Sequence, residues 1–463
     1  MSIETSRITD PQAQNVAHTE EGQFADVKAI EISPANLTKT ISAFANTDGG
    51  DLYIGIAEIG QLKFREWSGF SVPENANGHL QIFEKLFPLG TDFQYEFLRC
   101  DGRSGLVLHV QVNKTQAILP ASNGLSYIRR GAQSLPIDTP EAKRRLEYNK
   151  GISSFETELT NVLATSVTES DIIGIFIKEV VPSSTPERWL TKQVLLREHR
   201  PTVAGVLLFS DEPQALIPKR CGIKIYRYKT REAEGFRDAM DFTPLTIEGC
   251  AYVQIRAAVA KTIEIAESIP RMGEESLEAI KYPQQTLHEI ITNAVLHRDY
   301  SIADDVHIRI FDNRIEVQSP GRLPAHVTVE NILNERFARN GALVRILNKF
   351  PDPPNKDIGE GLNTAFDAMH QLGLKEPVIR ERESSVLVII RHEPLASPQE
   401  AIMDYLATRA TITNGEARRI THVRQDYQIK AIFNRLVKAG LIEQVPGTRT
   451  SNTKYRKPAK VEI

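Results

Sequence analysis

Three acidic residues and a lysine open the chemistry of this chain. In EGQFADVKAIEISPANLTKTISAFANTDGGDLYIGIAE, Asp26 and Lys28 lie two apart on a strand-like stretch and so share a face. Glu21 sits five residues upstream, and the apolar run LYIGI delivers Glu58 at its C-terminal end. Carboxylates converging near a lysine suit metal-assisted phosphodiester cleavage, because Mg²⁺ or Mn²⁺ takes hard oxygen ligands and a lysine holds a phosphate. Glu20 fits the spacing as well as Glu21 does. A second polar group lies in HEIITNAVLHRDY, residues 288–300. Leu287, Ile290, Ile291, Ala294 and Val295 recur at helical spacing, which puts Glu289, Asn293 and His297 on a separate polar ridge of a buried helix.

The elements that must position these groups are legible in outline. Ser33 as N-cap and Pro34 in the first turn open a helix that ends at Ala43–Asn46, and Asp48, Gly49 and Gly50 make its tight exit. Residues 1–23 are a polar lead, and 24–140 form an α+β domain closing at SYIRRGAQSLP. Residues 141–280 are an α/β connecting region with strands expected at AGVLLF (204–209) and CGIKIYRY (221–228) and a helix at about 245–267. A third region, 281–395, holds the polar-ridge helix and the hairpin DVHIRIF-DN-RIEVQ, and 396–463 form a final helical unit with a basic balance.

At 463 residues the chain exceeds what one core usually supports, so about two to four domains are expected. A net charge of −3 argues against a protein coated with basic residues for nucleic acid, while leaving room for local basic patches. Cys100, Cys221 and Cys250 show no metal-ligand spacing, no apolar run is long enough for a membrane span, and the N-terminus has no apolar targeting segment. A soluble, unprocessed, cytoplasmic protein is expected.

The N-terminal residues resemble a known family. Glu21, Asp26 and Lys28, then AFANTDGG (43–50), YIGI (53–56), Glu58 and YIRRG (127–131) are similar to the Schlafen/AlbA-2 domain pattern E-x4-E-x-K, AFANT-x-GG, an apolar strand with trailing acids, and Y-x-R-x-G. Asp26 stands where glutamate is usual, which shortens its reach by one methylene. The family includes nucleic-acid-binding domains and metal-dependent ribonucleases. The resemblance therefore implies catalytic roles for Glu21, Asp26, Lys28 and Glu58, a metal held by the three acids, and phosphate contacts from Lys28, Arg129 and Arg130.

The ridge helix resembles the N-box of the GHKL ATP-binding fold, an α/β sandwich. That resemblance implies that Asn293 ligates Mg²⁺ between the phosphates of ATP and that Glu289 activates water. SPGRLP (319–324) stands at the adenine-loop position, placing Ser319 and Gly321 beside the nucleotide. DIGEGLNTAF (357–366) reads as a glycine loop whose Gly359 and Gly361 turn backbone N–H groups toward phosphates. The adenine-reading aspartate and second glycine of the usual loop are missing, so ATP binding is expected without efficient turnover. NAVLHRDY with PGRLP is most similar to the divergent GHKL-like domain often joined to AlbA-2 domains.

The tail reads as a winged helix, with Asn414 as a cap and Ile429, Ile432, Phe433 and Leu436 on one helix face. Arg418, Arg419, Arg424, Lys430, Arg449 and Lys454 would neutralise phosphates. The fold class expected is thus α+β multidomain: a Schlafen/AlbA-2 domain, a GHKL-like sandwich and a C-terminal winged helix. The expected partners are ATP and nucleic acid, RNA or DNA, with homo-oligomer formation left open. Two functions are consistent with this: a Schlafen-like metal-dependent nuclease gated by a nucleotide domain, in stress or phage defence by analogy, or a non-enzymatic ATP-sensing DNA-binding regulator.

Overall fold

The N-terminal sheet is built from short strands that alternate inward and outward residues. In the computed structural model, which describes residues 5–59, 64–88, 90–217, 219–272, 277–279, 282–335, 337–354, 361–392, 398–421, 425–445 and 453–458, five strands lie in the order Thr5–Ile8, Phe93–Cys100, Val107–Val112, Gly50–Ile54 and Ala25–Lys28. The last two are parallel and are joined by the helix Pro34–Asn46. The Ser33 hydroxyl accepts from the Asn36 amide at 3.3 Å, so the expected cap forms. The inner face of that helix buries Leu37, Ile41 and Phe44 against Leu52, Ile54, Phe97, Leu108 and Val110. Its exit needs glycine: Gly49 has φ +77°, and a Cβ there would meet the Val112 carbonyl at 2.6 Å.

A second, six-stranded sheet has the order Leu245–Ile247, Ile223–Arg227, Val306–Ile310, Arg314–Pro320, Ser385–Arg391 and Val378–Glu381. Val306, Ile308 and Ile310 point inward and alternate with partly exposed His307 and Arg309, as a half-buried strand requires. Helices Ala251–Glu267 and Gln284–Leu296 pack on each other and on this sheet. The sheet thus recruits strands from the connecting region, upstream of residue 281. The expected strand at AGVLLF is a helix, Val203–Phe209, with every residue buried. A short, wholly buried run has no polar face to reveal its period, and the Thr202 hydroxyl, which accepts from the Gly205 amide at 3.1 Å, supplies the helical start.

The chain divides into two compact units, Met1–Ala368 with Pro377–Ile390, and Met369–Glu376 with Arg391–Ile463. Both sheets described above lie in the first. In the second, helices Pro398–Thr408, Asn414–Thr421 and Asp426–Lys438 surround Ile402, Ile412, Ile429, Phe433 and Leu436, with an antiparallel sheet ordered Ile412–Thr413, Lys454–Arg456, Glu443–Gln444. Thr413, not Asn414, is the cap. Its hydroxyl accepts from the Glu416 amide while the Glu416 carboxylate accepts from the Thr413 amide at 2.8 Å, a reciprocal capping box. Among the described residues no helix is long and apolar enough to cross a membrane.

Candidate nucleotide cavity and acidic cluster

Segments distant in sequence close around a cavity of about 420 Å³. The helix Gln284–Leu296 buries Leu287, Ile290, Ile291 and Val295 and turns Glu289 and Asn293 into the cavity. Val317 and Ser319 come from the strand Arg314–Pro320, Gly321 and Arg322 from the loop after it, Gly361 and Asn363 from the start of helix Gly361–Gln371, and Val386 and Val388 from the neighbouring strand of the same sheet. The Asn293 amide donates to Glu289 Oε1 at 2.8 Å. Burial raises the Glu289 carboxyl above its ordinary range, and the bond from Asn293 only partly offsets this. The carboxylate lies flat against Gly361, where a Cβ would fall 2.0 Å from Oε1. Both acid and amide stand where the helical spacing puts them, while the acid's contact with Gly361 has no signature in the sequence.

The loop after Ser319 is held from several sides. The Ser319 hydroxyl donates to the Ala294 carbonyl at 2.7 Å, and Gly321, at φ +100°, approaches Asp299 so closely that a Cβ would meet Asp299 Cβ at 2.6 Å. The Leu323 amide donates to Glu381 at 2.8 Å, and Lys114 donates to the carbonyls of Leu323 and Val327 at 2.9 and 3.1 Å. Among the lining residues, Glu289, Glu335, His297 and Arg322 are ionisable. Burial, then the Arg339 charge, pushes His297 down to about 4, so it is neutral near pH 7. Arg322 is the remaining cation, and it already meets Asp48 and, at 3.2 Å, Glu381. Asn293 offers one hard oxygen, which fits Mg²⁺ when a nucleotide's phosphates supply other ligands. Gly359 lies outside the described residues.

The acidic residues of the first domain do come together, but as an ion-pair cluster. Lys28 bonds Asp26 Oδ1 and lies 3.6 Å from Glu21, while Arg65, which the sequence did not single out, lies 3.6 Å from Glu21 and 3.8 Å from Glu58. Burial and the Asp26 charge raise the Glu21 carboxyl. The Arg129 guanidinium is engaged within the domain: it is 4% exposed, stacks over Phe44 at 4.9 Å, and donates to Asp26 Oδ2 at 3.0 Å and to the Gly22 carbonyl at 2.9 Å. Asp26 is 2% exposed with both oxygens taken by cations, and among the described residues no acid or histidine group has metal-holding geometry.

The AFANTDGG segment explains itself locally. The Asn46 amide donates to the carbonyls of Leu119 and Tyr127 at 2.9 and 3.0 Å, and its oxygen accepts from the Leu119 amide at 2.8 Å, stapling the YIRRG strand to the helix. Arg130 is exposed and pairs with Glu383 at 2.6 Å. In the second unit Arg418, Arg419, Lys430 and Lys454 are exposed, with Lys430 2.6 Å from Asp426. Arg424 and Arg449 lie outside the described residues.

Residues 21–138 match a family model described as "Schlafen, AlbA_2", and residues 303–390 match a HATPase model described as "Putative ATP-dependent DNA helicase recG C-terminal". The second match begins after the helix bearing Glu289 and Asn293, so those two rest on the cavity's geometry. No curated protein matches the chain. Among solved structures the chain is similar to the DIP2311 protein from Corynebacterium diphtheriae, at 17% identity, covering 97% of this chain and 96% of that one, with a TM-score of 0.43.

Proposed function

We propose, for a chain that carries Schlafen/AlbA-2 and HATPase-like domains, that it binds MgATP in the cavity and acts on nucleic acid by binding it. The observation that carries this is the convergence of Glu289, Asn293, Ser319, Gly321 and Gly361 on one cavity from separate segments. Asn293 would supply an amide-oxygen ligand to a Mg²⁺ ion accompanying the nucleotide. Burial raises the Glu289 carboxyl, which suits it to take a proton from water, while the missing adenine-loop aspartate supports binding over rapid turnover. The apolar walls, Val317, Val386 and Val388 among them, suit a base.

Binding without cutting is favoured by the state of Asp26, whose carboxylate is neutralised by Lys28 and Arg129. The second unit supports the same reading. Its order of helix, strand, two helices and two strands is that of a winged helix, with exposed Arg418, Arg419, Lys430 and Lys454 to meet phosphates. Incubation of the protein with tRNA, single-stranded RNA and duplex DNA, with Mn²⁺ or Mg²⁺ and with or without ATP, tests the reading. Retention of at least one nucleic acid without cleavage is expected. Divalent-dependent cutting that is lost in Asp26→Ala and kept in Glu289→Ala would instead establish the nuclease.

A further inference from the structure

We infer that the Asp48–Arg322 ion pair couples the occupant of the cavity to the acidic cluster, so that an anionic ligand rearranges the segment carrying Glu21 and Asp26. The inference rests on the cavity's being a nucleotide site. Arg322 lines the cavity, and its guanidinium is shared between Asp48 and Glu381. An entering triphosphate meets no other full positive charge among the described lining residues, so it competes with the two carboxylates for the same guanidinium. The loop backbone cannot follow freely, because Lys114 holds Leu323 and Val327 and the Ala325 amide donates to the Asn149 carbonyl at 2.8 Å. The Arg322 side chain is therefore the part that responds.

From Asp48 the path continues through hydrogen bonds. Asp48 Oδ2 accepts from Gln23 Nε2 at 2.6 Å, and Gln23, which lies between Glu21 and Asp26 in sequence, also donates to the Arg129 carbonyl at 3.2 Å and accepts from the Gly131 amide at 2.9 Å. Arg129 closes the circuit by holding the Gly22 carbonyl and Asp26. Loss of the Arg322 partner leaves the Asp48 carboxylate, 6% exposed, without its charge complement and frees it to draw Gln23. The segment from Glu21 to Asp26 then shifts relative to Arg129. Thermodynamic reciprocity requires that whatever MgATP does to this segment, a ligand of the segment does to MgATP affinity.

Hydrogen–deuterium exchange of the full chain with and without MgATP tests this, with calorimetry run alongside to verify nucleotide binding. In the wild type, exchange in residues 19–28 and 126–133 should change by about fivefold or more on MgATP binding, the scale of a typical coupling. In Asp48→Asn, and in Gln23→Ala, which keeps the ion pair and cuts the next link, MgATP should still bind while the change falls below about twofold. Thermal melting confirms that both variants fold. MgATP binding with no change at 19–28 in the wild type, or a full change in both variants, overturns the coupling alone. Failure of the wild type to bind MgATP overturns the nucleotide reading and the coupling with it.

Discussion

Glu289 and Asp26 are carboxylates placed by similar sequence logic in pockets of opposite construction. Glu289 has an amide for a neighbour and an open cavity in front of it, and burial leaves its carboxyl raised and ready to respond to an incoming cation. Asp26 has Lys28 on one oxygen and Arg129 on the other and is sealed from solvent. Acid spacing alone therefore does not tell how a carboxylate is engaged. The neighbouring cations decide whether a carboxylate is available or is part of the scaffold.

The largest effect that probes this contrast should come from Asp26→Ala. It leaves the buried Arg129 guanidinium without its counter-charge, a loss of about 3–5 kcal/mol for a broken buried pair. Glu58→Ala, at a carboxylate 41% exposed, should cost no more than about 0.5 kcal/mol. Urea denaturation of both variants checks the pair of values, and equal small losses would make Asp26 an available ligand after all.

Acid titration gives the next effect. His297 has its folded pKa lowered to about 4 from 6.5, so the unfolded chain takes up a proton that the folded chain refuses, and stability falls as pH drops from about 6.5 toward 4. Glu289, raised from 4.5, has the opposite sign: its contribution is full below 4.5 and is lost as pH rises through its folded value. Melting temperature against pH should therefore flatten on the acid side in His297→Gln and steepen in Glu289→Gln. Parallel curves for both variants would show that neither pocket perturbs its residue.

A subtler change is Gly361→Ala. The added methyl meets the far end of a flexible carboxylate, so Glu289 swings aside and the fold survives, while MgATP affinity should weaken by about tenfold, or 1.4 kcal/mol. Unchanged affinity by calorimetry would place the ligand elsewhere. A separate effect is expected from deletion of residues 396–463, which should weaken DNA binding and reduce its salt slope by about one for each phosphate that the basic side chains no longer neutralise. An unaltered slope would assign that unit to protein contacts.

Much of the fold is readable locally. Ser33 and Pro34 open their helix, Asp312 and Asn313 sit at the hairpin turn, and Glu289 and Asn293 share a helix face because each feature depends on neighbours within a turn or two. The AGVLLF helix is not readable in this way, since a run buried on all sides has no period. Nor is the burial of Arg129, whose partners Asp26 and Phe44 lie far away in sequence. The Arg322–Asp48 contact spans 274 positions, and nothing in either segment's local pattern announces it.

The nucleotide site stands or falls on calorimetric titration of MgATP into the wild type and Asn293→Ala. Asn293 offers the amide oxygen proposed for the metal, on a helix whose apolar face does not involve it. Saturable binding to the wild type is expected, with heat that disappears in Asn293→Ala while the melting temperature holds. Equal affinity in the two proteins would contradict this and remove the cavity as the place where nucleotide binds.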